Sequence, residues 1–100
     1  MSESLPDHVL ISRAPGLLES EVDGELVGLH VGSGTAYGFN RTATRIWGLL
    51  ATPRTLGELR DALVAEFGVE PERCGRELRA LVEELAADGL VSVDGGRPSR

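Results

Sequence analysis

Several residue types are scarce in this chain, and each scarcity excludes a class of function. The 100 residues include one cysteine, Cys74, so an internal disulfide is impossible and a zinc site would lack thiolate companions. Neither His8 nor His30 has an Asp or Glu at ligand spacing. We therefore expect no metal site and no cofactor.

Long apolar runs are also lacking. No segment approaches the roughly 20 apolar residues that a membrane-spanning helix needs. Residues 1–7 are polar and acidic, without the basic start and apolar stretch of a secretory signal. Together with the single cysteine, this predicts a cytoplasmic protein that does not enter a membrane.

Lysine is absent, and all ten basic residues are arginine. Sixteen acidic residues give a formal net charge of −6. Because binding to phosphate backbones depends on clustered cationic side chains, this balance argues against nucleic acid as the main partner.

The first half of the chain has the pattern of an antiparallel sheet. Asp23-Gly24 separates two β-favouring runs, residues 17–22 and 26–31, and an Asp-Gly pair in that position is a strong hairpin signal. Gly32-Ser33-Gly34 makes the next turn, and residues 35–39 form a third strand. A further short β-favouring run, residues 9–11, precedes them.

The second half has the pattern of three helices. Asn40 can cap a helix over residues 41–50, and Thr55 with Glu58 forms a capping box for the next helix. Pro71 suits the first turn of a third helix, which Gly89 ends. The predicted fold is α+β and winged-helix-like, with a three-stranded antiparallel sheet followed by a three-helix bundle. We expect one domain over residues 9–93, between flexible segments 1–8 and 94–100.

No group of residues has the composition of a catalytic site. Cys74 falls on the apolar face of the third predicted helix, which favours packing over nucleophilic chemistry. Gly32-x-Gly34 lacks the pattern of a phosphate-binding loop, and the carboxylates are scattered over polar helix faces. We therefore predict that the protein is not an enzyme.

Two surfaces remain as candidates for binding a peptide. The third strand is the edge of the predicted sheet and offers unpaired backbone groups to an added strand. One flank of the third helix extends its apolar stripe with small residues, as a groove requires, although the same flank could instead pack under the sheet. The candidate peptide-binding residues are Thr35, Ala36, Tyr37, Gly38 and Phe39 of the strand, and Gly75, Arg76, Arg79, Val82, Glu83 and Ala86 of the helix.

A second hypothesis is a winged-helix DNA-binding regulator. Arg73, Arg76 and Arg79 form a stripe on the helix that reads DNA in that fold. Glutamates interleave with the stripe, which favours intrahelical ion pairs and weighs against this function.

An ordered set of motifs resembles the PqqD-like family, whose members are also called RiPP precursor recognition elements. The resemblance covers residues 17–93 and rests on these motifs: Val22-Asp23-Gly24, Tyr37-x-Phe39-Asn40-x-Thr42-Ala43, Ile46-Trp47-x-Leu49-Leu50, Pro53-Arg54-Thr55 and Leu85-x-x-x-Gly89-Leu90-Val91.

This resemblance implies a non-catalytic protein that binds the leader segment of a ribosomally synthesised precursor peptide. In the family, the leader adds as a strand to the third strand and lies against the third helix. The free-standing chain is most similar to the recognition proteins of lasso peptide biosynthesis, which implies a cysteine-protease-like leader peptidase and a cyclase as further partners. An alternative within the family is a PqqD-type peptide chaperone for a radical enzyme in pyrroloquinoline quinone or related biosynthesis.

Overall fold

A computed structural model describes residues 5–94. Its elements, in chain order, are β1 (Leu10–Arg13), β2 (Leu17–Val22), β3 (Glu25–His30), β4 (Thr35–Gly38), α1 (Arg41–Leu49), β5 (Arg54–Thr55), α2 (Leu56–Phe67), α3 (Pro71–Ala87) and β6 (Val91–Asp94). The predicted α+β class, with an antiparallel meander followed by three helices, is confirmed.

Strands β2, β3 and β4 form one antiparallel sheet in that order. Asp23 and Gly24, at φ 55° and 83°, make the predicted tight turn between β2 and β3. Leu26 and Gly28 of β3 are buried, whereas Val27 and Leu29 point to the other side and are exposed. The sheet therefore has one face on the core and one open face.

A second small sheet, in the order β5-β1-β6, was not predicted as a sheet. The run at residues 9–11 was recognised as β-favouring, but its partners lie far along the chain. Leu10 pairs with Thr55 on one side and with Asp94 on the other. Since Asp94 belongs to β6, the folded part extends one residue further than predicted.

The helix ends follow the local signals in the sequence. Asn40 Oδ1 accepts a hydrogen bond from Ala43 N at 2.8 Å, and both halves of the Thr55–Glu58 capping box are present. Leu90 N donates to Leu85 O at 2.9 Å, which closes a Schellman motif at the end of α3. These contacts fix the starts of α1 and α2 and the end of α3.

The N-terminal boundary differs from the prediction. Residues 5–8 were expected to be flexible, but Leu5 packs against the core and Asp7 O accepts a hydrogen bond from Gly57 N at 3.0 Å. Asp7 also forms an ion pair with Arg60 of α2, at 2.6 Å. The rest of the predicted flexible segments, residues 1–4 and 95–100, lie outside the described residues.

Candidate functional site: a free strand edge and a groove between helices

Strand β4 is an edge strand in the part of the chain that the structure describes, because it pairs there with β3 alone. In an antiparallel pair, hydrogen-bonded and non-hydrogen-bonded residue pairs alternate. Phe39 N donates to Leu26 O at 2.8 Å, so Phe39 and Leu26 form a hydrogen-bonded pair. It follows that Tyr37 bonds to Gly28 of β3, whereas the backbone N–H and C=O groups of Ala36 and Gly38 point away from the sheet.

A groove lies among the three helices and begins in the first turn of α1, directly after β4. Its volume is about 590 Å³, within the range of peptide and small-molecule sites. We call it the helical groove, and its walls are Thr42 and Ile46 of α1, Leu63 and Phe67 of α2, and Arg73, Cys74, Glu77, Leu78 and Leu81 of α3.

The rim of the helical groove is partly apolar and partly charged. Phe67 and nearby Val69 are 40% and 42% exposed, although both are large apolar residues. On the opposite wall, Arg73 Nε and Glu77 Oε2 form an exposed ion pair at 3.0 Å. An apolar interior with a solvated charged rim suits a side chain of a peptide better than a phosphate or a metal ion.

Cys74 lines the helical groove as an uncharged thiol. Burial, and secondly the negative charge of Glu77, raise its pKa above the ordinary value. A high pKa keeps the thiol protonated at neutral pH, so Cys74 serves as a small apolar wall residue rather than a nucleophile.

Comparison with known proteins places the chain in a family. Residues 25–91 match the family model for Coenzyme PQQ synthesis protein D (PqqD), from β3 to the start of β6. The chain belongs to the PqqD family. The predicted family resemblance is therefore confirmed. A comparison with curated proteins gives no match.

Two solved structures resemble this PqqD-family chain over most of its length. TbiB1 in complex with the TbiA(beta) leader peptide has a TM-score of 0.75 and 30% identity, covering 88% of this chain and 99% of that chain. Lasso peptide synthetase B1 complexed with the leader peptide has a TM-score of 0.70 and 25% identity, covering 82% and 96% of the respective chains. Both structures are complexes with leader peptides.

The predicted flank of α3 requires correction in this PqqD-family fold. Val82 is 0% exposed and belongs to the core, so the prediction that it lies on an accessible flank is wrong. Gly75 is also buried, with the guanidinium group of Arg79 and the side chain of Arg60 within 3.5 Å of where a Cβ would stand. Arg79 itself lies near Asp7, at 3.8 Å. Gly75 and Arg79 therefore pack against Arg60 of α2 and Asp7 of the N-terminal segment, and not under the sheet as the alternative interpretation had proposed.

The remaining predicted helix residues also lie outside the helical groove. Ala86 is half-buried against the core, and Arg76 and Glu83 are exposed but do not line the groove. At about 100° per residue, Arg79 is turned about 160° away from Leu81 around the helix axis. The flank of α3 that lines the helical groove carries Arg73, Glu77 and Leu81.

The predicted strand residues fall into two groups. Thr35, Ala36 and Gly38 are exposed, and Tyr37 is half-buried against the core. Phe39 is 5% exposed and stacks edge-on to Trp47, with ring centroids 5.7 Å apart. Its side chain is therefore a core contact, and its backbone N–H is already used by Leu26.

The α1 and α2 walls of the helical groove were not predicted from the sequence. Thr42 was noted only as part of a motif. The sequence does carry one signal: Phe67 and Val69 flank Gly68, where α2 ends, so they lie at a helix junction rather than within a buried stripe.

The arginine stripe of the DNA-binding hypothesis is largely neutralised. Arg73 pairs with Glu77, and Arg79 lies beside Asp7. Arg76 alone of the three has no ion pair among the described residues. A surface of this kind lacks the clustered positive charge that binds phosphates.

Among the described residues, no group of three or more metal-ligating side chains comes together, and no helix is long and apolar enough to cross a membrane. His30 Nδ1 lies 3.0 Å from Ser33 Oγ, but this serine oxygen also accepts a hydrogen bond from Thr35 N. The contact therefore belongs to the exposed turn before β4, where it holds the start of the edge strand.

Proposed function

We propose that this PqqD-family protein binds the leader segment of a ribosomally synthesised precursor peptide, without catalysing a reaction itself. The leader adds as an extended strand to the free edge of β4, and some of its side chains enter the helical groove. The observation that carries the proposal is the outward-pointing backbone of Ala36 and Gly38, followed four residues after β4 by the first wall residue of an open groove.

The geometry favours strand addition over other modes of peptide binding. Ala36 and Gly38 each direct one backbone donor and one backbone acceptor toward solvent. This two-residue spacing is the spacing at which an added strand forms its hydrogen bonds. The chain passes from β4 into α1 within a few residues, so the edge and the groove adjoin each other along the chain. One extended peptide can therefore use backbone contacts for affinity and the groove for selectivity.

The leader of a lasso peptide precursor is the proposed ligand, supported by two similar structures that are complexes with leader peptides. A cysteine-protease-like leader peptidase and a cyclase are the proposed further partners, which would act on the bound precursor. A cytoplasmic location fits this role. The second candidate is a PqqD-type peptide chaperone for a radical enzyme, which the family match supports.

The direct test is fluorescence anisotropy with labelled peptides. The probes are the TbiA(beta) leader peptide and peptides tiled across the precursor encoded beside the gene of this protein. We expect at least one probe to bind with a Kd in the micromolar range or below, about −8 kcal/mol or tighter. Binding of none of these probes would contradict the proposal.

The matched variants are Leu81→Glu and Ala80→Glu. Leu81 is half-buried in the wall of the helical groove, whereas neighbouring Ala80 is exposed and outside it. A carboxylate at position 81 would be desolvated by the bound peptide, so we expect affinity to fall by about tenfold or more. Ala80→Glu should bind like the unmodified protein, and an equal loss for both variants would place the site elsewhere.

A further inference from the structure

The open face of the β2–β3–β4 sheet carries exposed apolar side chains that the helical groove does not use. Leu29 and Val27 of β3 are 43% and 38% exposed, and Leu18 of β2 is 61% exposed. On β4 the residues of this face are Ala36 and Gly38, which pair with Leu29 and Val27 respectively. The outer strand of the face thus has almost no side-chain bulk.

This lack of bulk leaves a shallow depression above β4. A Cβ built on Gly38 meets no atom within 4 Å, and the φ angle of Gly38 is not left-handed. Neither crowding nor backbone strain therefore explains a glycine at this position. The depression runs across the sheet: Ala36 and Gly38 line it at the β4 edge, Val27 and Leu29 line its middle, and Leu18, Glu19 and Ser20 of β2 line its far end.

A strand added to β4 would have side chains on both faces of the sheet. Those of the residues opposite Ala36 and Gly38 lie on the open face, and the residue between them lies on the same face as Tyr37. Neighbouring strands are about 4.8 Å apart, so the added strand lies about 10 Å from β3 and about 14 Å from β2. A large side chain leaning across Ala36 and Gly38 can therefore meet Leu29 and Val27, but not Leu18.

We propose that the bound peptide carries two large apolar side chains, separated by one residue, which lie across Ala36 and Gly38 and cover Val27 and Leu29. This inference rests on the proposed strand addition at β4 and adds a second recognition surface to it. Side chains of alternate peptide residues contact the helical groove, and the side chains of the residues between them contact the open face.

The test compares Leu29→Ser and Val27→Ser with the control Leu18→Ser, using anisotropy with the tiled precursor peptide of highest affinity. All three side chains are exposed, so the fold should tolerate each change. Loss of the apolar contact at Leu29 or Val27 should lower affinity by about fivefold to tenfold. Leu18→Ser should leave the affinity unchanged.

A second variant, Gly38→Leu, fills the depression from the protein side. Affinity for the parent peptide should fall, and replacing the facing peptide residue with alanine should restore it. Unchanged affinity for Leu29→Ser and Val27→Ser would overturn the inference while leaving the proposed function intact. An equal loss for Leu18→Ser would also overturn it, because the whole face would then be engaged, as in self-association. Absence of any binding to the unmodified protein would instead refute the proposed function.

Discussion

At the scale of single residues, Trp47 joins the sheet to the helices. Its indole Nε1 donates to Glu19 Oε2 of β2 at 2.9 Å, and its carbonyl accepts from Arg13 Nη2 of β1 at 2.6 Å. The Arg13 guanidinium also lies over the indole ring, 4.7 Å from its centroid. Because these contacts tie β1, β2 and α1 together, they hold the open sheet against the helical half.

Trp47→Phe tests this role. The change removes the hydrogen bond to Glu19 and leaves a cavity at a residue that is 3% exposed. We expect the free energy of unfolding to fall by about 2 kcal/mol, measured by urea denaturation followed by circular dichroism. Phe67→Leu is the control: because Phe67 is 40% exposed, this substitution should lower the free energy of unfolding by less than about 1 kcal/mol. Equal losses for the two variants would show that the Trp47 contacts add nothing.

The labelling rate of the Cys74 thiol measures how accessible the helical groove is. Its raised pKa keeps the reactive thiolate scarce at pH 7, so a disulfide reagent such as DTNB should label the folded protein far more slowly than the urea-unfolded protein. Raising the pH increases the thiolate fraction, so the labelling rate should rise by about tenfold per unit between pH 7 and 8. Bound peptide should slow labelling further. Fast labelling at pH 7, unaffected by peptide, would contradict this placement of Cys74.

At the scale of elements, the features that were predicted correctly are those that depend on contacts between residues close together in the chain. The turn at Asp23-Gly24, the caps at Asn40 and Thr55 and the end of α3 all depend on residues within a few positions of each other. The β5-β1-β6 sheet was missed because its pairings join Leu10 to Thr55 and Asp94. No local pattern in a two-residue strand such as β5 encodes such a partner.

The edge strand supplies a prediction about backbone groups. Ala36→Pro removes an N–H that points to solvent, whereas Tyr37→Pro removes one that bonds to β3. We expect Tyr37→Pro to lower the free energy of unfolding by about 3 kcal/mol, and Ala36→Pro to lower it by much less. Peptide affinity should nevertheless fall in Ala36→Pro, as measured by anisotropy. A folded Ala36→Pro variant with full affinity would show that the edge is not the binding site.

At the scale of the whole molecule, the sequence predicted half of the candidate site. The edge strand follows from strand order, because the last strand of a meander has one partner. The flank of α3 does not follow from periodicity, since a helix with apolar residues on both sides of its stripe can pack either side. In the structure, Arg60 covers Gly75 and Asp7 lies beside Arg79, so this side of α3 is packed. Both Arg60 and Asp7 belong to segments distant from α3 in the chain.

Both proposed recognition surfaces begin at β4 or within a few residues after it. The helical groove begins at Thr42, four residues after β4 ends, and Ala36 and Gly38 of β4 share the open face with Val27 and Leu29. An extended peptide at this edge would therefore be held by its backbone and by both sets of alternate side chains. This arrangement suits a protein that holds a precursor peptide in one register for other enzymes.

The most direct test of strand addition at β4 is residue-resolved amide hydrogen exchange, measured by NMR with and without a saturating leader peptide. The N–H groups of Ala36 and Gly38 should exchange at least about tenfold more slowly in the complex, because the added strand accepts their hydrogen bonds. Glu21, whose N–H points outward at the opposite edge of the sheet by the same alternation, should exchange at an unchanged rate. Slower exchange at Glu21, or unchanged exchange at Ala36 and Gly38 in a saturated complex, would contradict the account.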